Sequence, residues 1–247
     1  MNPHFESLAQ NYNTVVDRAL QSTGFDTDHF VRAKLNTLSR IFPGLKQEPF
    51  DFLDFGCGAG NLFAFFPDVF PAAHYTGADL SESLIRQAHR RFGENAPFCN
   101  LEAPQWSDRK YDLILAAGVF HHIPREQQGP CLERLGALLK SDGKVLLWEH
   151  NPLNPFTRRI VRDCEIDRDA ILIPPGQMKR LMRSLSLDRP RIIYTTFFPS
   201  LLKCLLPLEP ALGWFPLGGQ YIASAGPRQP ARVISDNGSV PAPTGRD

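Results

Sequence analysis

The sequence predicts an α/β fold on a mostly parallel sheet, and three observations predict it. Residues 50–62 run from an apolar strand, Phe52-Leu53-Asp54-Phe55, into a turn punctuated by Gly56, Gly58 and Gly60. Asp79 closes the next apolar segment about 20 residues later, the distance at which an acidic residue meets ribose hydroxyls in nucleotide-binding folds. Short apolar runs then alternate with stretches of helical period. Glycines at such a corner permit backbone angles that other residues avoid, and they let a ligand approach the main chain. A strand, a glycine turn and a helical stretch (here Leu62 to Phe66) make a nucleotide-binding corner.

Composition bounds the rest. A chain of 247 residues is most simply one domain with additions. Its 27 basic and 26 acidic residues leave a net charge of +1, so no dedicated nucleic-acid surface is expected. Five cysteines without metal-type pairing fit free thiols in a reducing compartment. Met1 to Gln10 lacks a signal-peptide core, and no apolar run is long enough to span a bilayer. The default expectation is a soluble cytoplasmic protein.

Taken in order, Val15, Val16 and Leu20 follow Tyr12 at helical spacing until Gly24 breaks the pattern. Asp26 or Thr27 can cap a second helix that buries Phe30, Val31, Leu35, Leu38 and Ile41, and Pro43-Gly44 ends it. This pair, within residues 1–48, is a candidate lid, with Tyr12 placed near a substrate. A strand over 74–78 leads to Asp79 and Leu80, and Ser81-Glu82 opens a helix through Arg91. Residues 96–101 read as a short strand and its turn, ending in Asn100 and Leu101.

Leu113 to Ala116 is a buried strand, followed by Ala117 and then by His121 and His122 just past its carboxyl end. In open α/β sheets that edge is where ligands bind. Pro124 opens a helix through Leu139, Ser141-Asp142-Gly143 turns, and Lys144 to Trp148 is a fifth strand. Glu149, His150 and Asn151 follow at the same edge, stiffened by Pro152 and Pro155. An imidazole there can take a proton from a hydroxyl or amine. Arg158, Arg159 and Arg162 mix with Asp163, Glu165, Asp167 and Asp169 as on a solvated helix face. A helix over 177–185 and a strand over 191–195 complete the alternation. Residues 196–219 are very apolar, but four prolines, Lys203 and Glu209 interrupt them. They are expected to roof the substrate pocket or form a homodimer face rather than to contact a membrane. A last strand covers 220–223, and the tail over 226–247 is expected to be disordered.

The glycine turn departs from the dinucleotide fingerprint: its third glycine is one residue early, and Asn61 stands where that motif has Gly. Asp54-Phe55-Gly56-Cys57-Gly58-Ala59-Gly60 instead resembles the glycine loop of class I S-adenosylmethionine-dependent methyltransferases. Asp112-Leu113-Ile114-Leu115 with Val119-Phe120-His121-His122-Ile123-Pro124 is similar to the fourth-strand motif of the small-molecule type, methyltransferases of types 11 and 12. Lys140-Ser141-Asp142-Gly143-Lys144 resembles the family's Leu-Lys-Pro-Gly-Gly turn.

The resemblance implies a Rossmann-like sheet of seven strands, six parallel and the last antiparallel, over residues 49–225. It implies S-adenosyl-L-methionine as cofactor, held by Asp54, Gly56, Cys57, Gly58, Gly60, Asp79, Leu80, Asn100, Leu101 and Ala117, although the family often has Asp where Asn100 stands. If a base is used, it is His122 or His150, and Tyr12, His121, Glu149 and Asn151 are placed toward the acceptor. No metal is expected, since His121 and His122 would point apart in extended chain. Ala116-Ala117-Gly118-Val119 replaces the Asn/Asp-Pro-Pro-Tyr signature of base and glutamine methylation, so the expected partner is a small molecule. Asn11-Tyr12, Glu149 to Pro155 and Pro216 to Tyr221 look like a subgroup associated with sugar, polysaccharide or natural-product biosynthesis. Two further readings are a non-catalytic cofactor-binding partner or sensor, and a nicotinamide-dependent oxidoreductase, against which the early third glycine argues.

Overall fold

The computed structural model describes residues 12–185 and 187–228, with the side chains of Tyr12 and Asn13 outside the described set. The expectations for residues 1–11, for the Tyr12 side chain and for the tail beyond residue 228 lie outside the described residues. Seven strands form one sheet: β1 (Phe50–Phe55), β2 (Ala73–Asp79), β3 (Phe98–Asn100), β4 (Tyr111–Ala117), β5 (Leu139–His150), β6 (Leu187–Thr195) and β7 (Gln220–Pro227). Their order is β3-β2-β1-β4-β5-β7-β6. Only β7 runs antiparallel, wedged between β5 and β6. This is the seven-stranded, mostly parallel Rossmann-like sheet that the motifs imply.

Alternation along the strands covers both faces. Phe52, Leu113, Leu115 and Leu146 pack on one face; Leu53, Ile114, Ala116 and Leu147 pack on the other. A two-residue period requires this of strands buried on both sides. Each fully buried Phe or Leu contributes on the order of 1.5–3 kcal/mol.

Helix α1 (Tyr12–Leu20) and helix α2 (Thr27–Ile41) precede the sheet. The Asp26 side chain caps α2 by accepting from the His29 N–H at 2.8 Å. Val31, Leu35 and Leu38 face the sheet at helical spacing. Helix α3 (Phe66–Val69) is a single turn, so the helix expected over Leu62 to Phe66 is not there. Those residues make successive turns instead. Phe63 is drawn onto Tyr75, Phe92 and Phe98 at 4.9–5.2 Å, and Pro67 takes a place in the first turn of α3, where its missing N–H costs nothing.

Helix α4 (Glu82–Phe92), helix α5 (Arg125–Ala137), helix α6 (Pro155–Asp163) and helix α7 (Pro175–Ser184) complete the layers. The expected turn at Ser141-Asp142-Gly143 is a bulge in β5, where the register jumps from Leu139 to Lys144. Lys140 beside it pairs with Asp51 at 2.7 Å and Asp112 at 2.6 Å, tying together the amino ends of β1 and β4.

Candidate active site

The strand order reverses between β1 and β4, and the crevice beyond their carboxyl ends is the natural ligand site of such a sheet. Gly56 and Gly58 occupy it with φ of 79° and 55°. A Cβ on Gly56 would run into the Val119 side chain, whereas one on Gly58 would meet nothing within 4 Å among the described residues. Gly58 therefore presents open backbone. Its N–H donates to Asp79 Oδ2 at 2.8 Å, and the Gly56 N–H donates to the Ala78 carbonyl at 2.7 Å. The end of β2 thus shapes the glycine loop.

A cavity of about 260 Å³ opens beside this loop. Asp54, Gly56, Cys57 and Gly58 line one side; Ala117, His121, His122 and His150 line another; Val16, Leu20, Phe30 and Lys34 reach in from α1 and α2. Burial pushes the Asp54 carboxyl up to about 7, against the hydrogen bond that it accepts from the Tyr75 hydroxyl at 2.5 Å. Burial also pulls the Lys34 ammonium down to about 8, with Asp54 opposing the shift. Lys34 Nζ lies 5.7 Å from the centre of the Trp148 ring.

The histidines converge. His121 and His122 lie in a 3-10 turn, Phe120–His122, and not in extended chain. Their rings are 4.1 Å apart, so the expectation that they point apart is corrected. Asp167 joins them: its Oδ1 is 3.3 Å from both His121 Nε2 and His122 Nε2, and its Oδ2 is 3.7 Å from His150 Nε2. His121 Nδ1 meets Glu149 Oε2 at 2.5 Å. Glu149 Oε1 accepts from the Phe120 N–H at 2.9 Å and the Val119 N–H at 3.3 Å.

Charge follows from this geometry. Burial disfavours the His121 imidazolium, but Glu149 and Asp167 outweigh it and push the group up to about 10. Burial and the charge of His121 hold His150 down, at about 4. Burial also lowers His122, against Asp167. The surrounding histidines hold the Asp167 carboxyl well below the usual carboxylate range, despite the opposing effect of its burial.

Other expected site residues fall elsewhere. Asp79 Oδ1 accepts from the Ser81 N–H at 2.8 Å, so both its oxygens serve the backbone while keeping further lone pairs. Leu80, Asn100 and Leu101 surround it at the ends of β2 and β3, outside the cavity. The Leu101 N–H donates to the Asp79 carbonyl at 2.9 Å, and Asn100 Nδ2 donates to the Leu80 carbonyl at 3.2 Å. Gly60 packs under Phe92 and Phe98 rather than facing the cavity. Two placements toward the acceptor are corrected. Glu149 is 1% exposed and lies behind His121. Asn151 is 0% exposed; its amide donates to the Pro216 and Gly218 carbonyls at 2.9 and 2.7 Å, clamping the chain that enters β7.

Sequence reasoning missed Asp167 and Lys34. Asp167 stood among surface charges, and its neighbours Asp163 and Glu165 do pair there with Arg159, Arg162 and Arg168. The available signal was Cys164 and Ile166, both buried, which pull the chain inward past the end of α6.

The 196–219 stretch contains a 3-10 segment, Ser200–Leu212. Phe197, Phe198 and Leu202 line a second cavity of about 1060 Å³, together with Arg18, Arg159 and Arg162. Leu201 and Trp214 point outward, 89% and 74% exposed. Among the described residues no helix is long and apolar enough to cross a membrane.

Comparison with known proteins adds three findings. Residues 53–145 match the family model described as a methyltransferase domain. Malonyl-(acyl-carrier protein) O-methyltransferase of Acetivibrio thermocellus is 31% identical over 183 residues, covering 70% of this chain and 58% of its own length. Trans-aconitate 2-methyltransferase of Streptomyces avermitilis is 30% identical over 103 residues, covering 39% of this chain and 38% of its own. The chain thus spans 58% and 38% of the length of these curated relatives. Among solved structures, a SAM-dependent methyltransferase from Archaeoglobus fulgidus superposes with a TM-score of 0.59 at 17% identity, over 79% of this chain and 93% of that one. The citrinin polyketide synthase CMeT domain gives 0.58 at 20% identity, over 81% and 53%. These two likenesses are of fold.

Proposed function

We propose that this chain, whose residues 53–145 match a methyltransferase domain, is a class I S-adenosylmethionine-dependent methyltransferase that transfers a methyl group from S-adenosyl-L-methionine to an oxygen or nitrogen of a small molecule. One observation carries this reading: a single cavity joins the open backbone at Gly58 to a wall of three histidines. Two lining residues, with Asp79 behind the glycine loop, fit the cofactor. Asp54 offers a carboxylate to its cationic end, Lys34 an ammonium to its carboxylate, and Asp79 acceptor lone pairs to its ribose. When bound, the cofactor supplies a methyl carbon that its sulfonium makes electrophilic.

The rest is positioning and proton handling. The cavity holds the acceptor atom in line with the donor, and α1 and α2 close over both. His122 and His150 face the cavity, and a neutral imidazole there accepts the proton of a hydroxyl or amine. The arginine-flanked second cavity gives room for the rest of the acceptor, such as a sugar, a polysaccharide precursor or a natural product. The relatives favour a second reading. Malonyl groups and trans-aconitate are acids, and a carboxylate acceptor has no proton to give up at neutral pH. The histidines distinguish the two: His122→Ala and His150→Ala slow transfer to a hydroxyl and leave transfer to a carboxylate within a few fold.

Calorimetric titration with S-adenosylhomocysteine, beside NADH, tests the cofactor. Micromolar binding of the former and none of the latter is expected, and the reverse would return the glycine corner to nicotinamide chemistry. A panel of hydroxyl, amine and carboxylate acceptors then tests transfer, and turnover of any physiological member eliminates the non-catalytic partner.

A further inference from the structure

We propose that His121, His150 and Asp167 bind a divalent transition-metal ion, of which zinc fits the donor set best. The site goes beyond methyl transfer and does not depend on it. Three segments bring the ligands together: the turn after β4, the end of β5 and the loop after α6. One donor atom from each lies within 4.8 Å of the other two. Asp167 approaches His121 Nε2 at 3.3 Å and His150 Nε2 at 3.7 Å. Donors bonded to tetrahedral zinc at about 2.0–2.1 Å stand roughly 3.3–3.4 Å apart. The two approaches of the Asp167 carboxylate, one from each oxygen, are close to that spacing.

The second observation is an unmatched atom. His121 is 1% exposed, and its Nε2 has no hydrogen-bond partner among the described residues. The 3.3 Å approach to Asp167 lacks hydrogen-bond alignment. Glu149 accepts from Nδ1, which turns Nε2 toward Asp167. A cation belongs between Nε2 and this carboxylate: a proton in the metal-free chain, whose place a metal ion would take on binding. A carboxylate that orients a histidine whose other nitrogen faces a second ligand is the usual outer shell of a metal site.

Charge supports the same conclusion. Glu149 and Asp167 place two negative charges beside His121, and a divalent ion that displaces the His121 proton balances both. Three protein ligands leave a coordination position open, and all three line the cavity. A water or an acceptor oxygen takes that position, and coordination makes the oxygen's proton easier to remove. With His150 ligating, His122 remains to receive it.

The test uses chelator-treated protein, without donor or acceptor, titrated with zinc chloride by calorimetry and with cobalt chloride by visible absorption. The expected result is one equivalent of zinc bound at about 1 µM or tighter. The cobalt form shows the bands of nitrogen and oxygen ligands without a thiolate charge-transfer band. His150→Ala and Asp167→Asn each weaken zinc at least tenfold, and Glu149→Gln weakens it about 10–100-fold. Wild-type protein that takes up no zinc overturns the inference, as does a thiolate band, or affinity unchanged in both ligand variants. The cobalt spectrum needs no variant, so a misfolded one does not decide the matter. Protein that binds S-adenosylhomocysteine but no metal loses this inference alone and keeps the proposed function.

Discussion

Replacing Asp79 with alanine removes two hydrogen bonds seen in the structure and the acceptor proposed for the cofactor ribose. The carboxylate holds the Gly58 and Ser81 N–H groups, each at 2.8 Å. Bonds to a charged group contribute about 1.5–3 kcal/mol each, and partial exposure puts these toward the low end. The unliganded fold should lose roughly 2–3 kcal/mol, and a chain of this size melts about 2–4 °C lower per kcal/mol. The expected drop is therefore about 4–12 °C. Cofactor affinity should fall further, because the ribose loses its acceptor and Gly58 its anchor. A loss of 1.4 kcal/mol is tenfold, so the expected range is about 10–100-fold. Calorimetry with S-adenosylhomocysteine measures affinity, and thermal denaturation measures stability. A lower melting temperature with unchanged affinity would leave Asp79 as a loop brace only and refute its assignment to the ribose.

Other outcomes follow from the same contacts. Gly56→Ala forces a side chain against Val119 at a left-handed backbone position, and should abolish detectable S-adenosylhomocysteine binding in calorimetry. Asp54 titrates at about 7, so S-adenosylhomocysteine affinity measured from pH 8 to pH 6 should fall as the carboxyl protonates, and Asp54→Asn should flatten that profile. A raised folded-state value means that the folded chain holds this proton more tightly than the unfolded one. The contribution of Asp54 to stability therefore declines as pH rises from about 4 to 7, and melting of the Asn variant should lack that decline. Asn151→Ala strands the buried Gly218 carbonyl and frees the more exposed Pro216 carbonyl, and should cost about 1–3 kcal/mol by denaturant unfolding while leaving cofactor affinity within a few fold. His122→Ala should slow transfer to a hydroxyl acceptor about 100-fold or more, with cofactor affinity nearly unchanged.

The legible parts of this protein were local in sequence. The run from Phe52 to Gly60 carries its strand and its left-handed turn within nine residues, because backbone conformation there depends on the glycines themselves. Asp79 was legible for the same reason: it closes the strand beside β1. Pairings between distant segments were not legible. Nothing near Asp167 announces that α6 ends and the chain turns inward to meet His121, because that turn is made by burying Cys164 and Ile166 against the body of the fold. Lys34 looked like one more polar position on α2 until the helix was placed over Trp148. Glu149 and His150 show a rule that was available and not applied. Adjacent strand residues face opposite sides of a sheet. Trp148 and His150 therefore point toward α2 and the cavity, and Glu149 points with Leu147 into the opposite layer. The expected helix after Gly60 is replaced by turns, and the helix starts instead at Phe66, with Pro67 in its first turn.

The measurement that reaches the central claim most directly follows a labelled methyl group. Protein is incubated with methyl-labelled S-adenosylmethionine and an extract of its source organism, and the products are separated by size. The account predicts label in the small-molecule fraction, released S-adenosylhomocysteine in equal amount, and a fall in both with Asp79→Ala at subsaturating cofactor. Label confined to protein or nucleic acid would contradict the small acceptor. Tight S-adenosylhomocysteine binding without any transfer would contradict the enzyme.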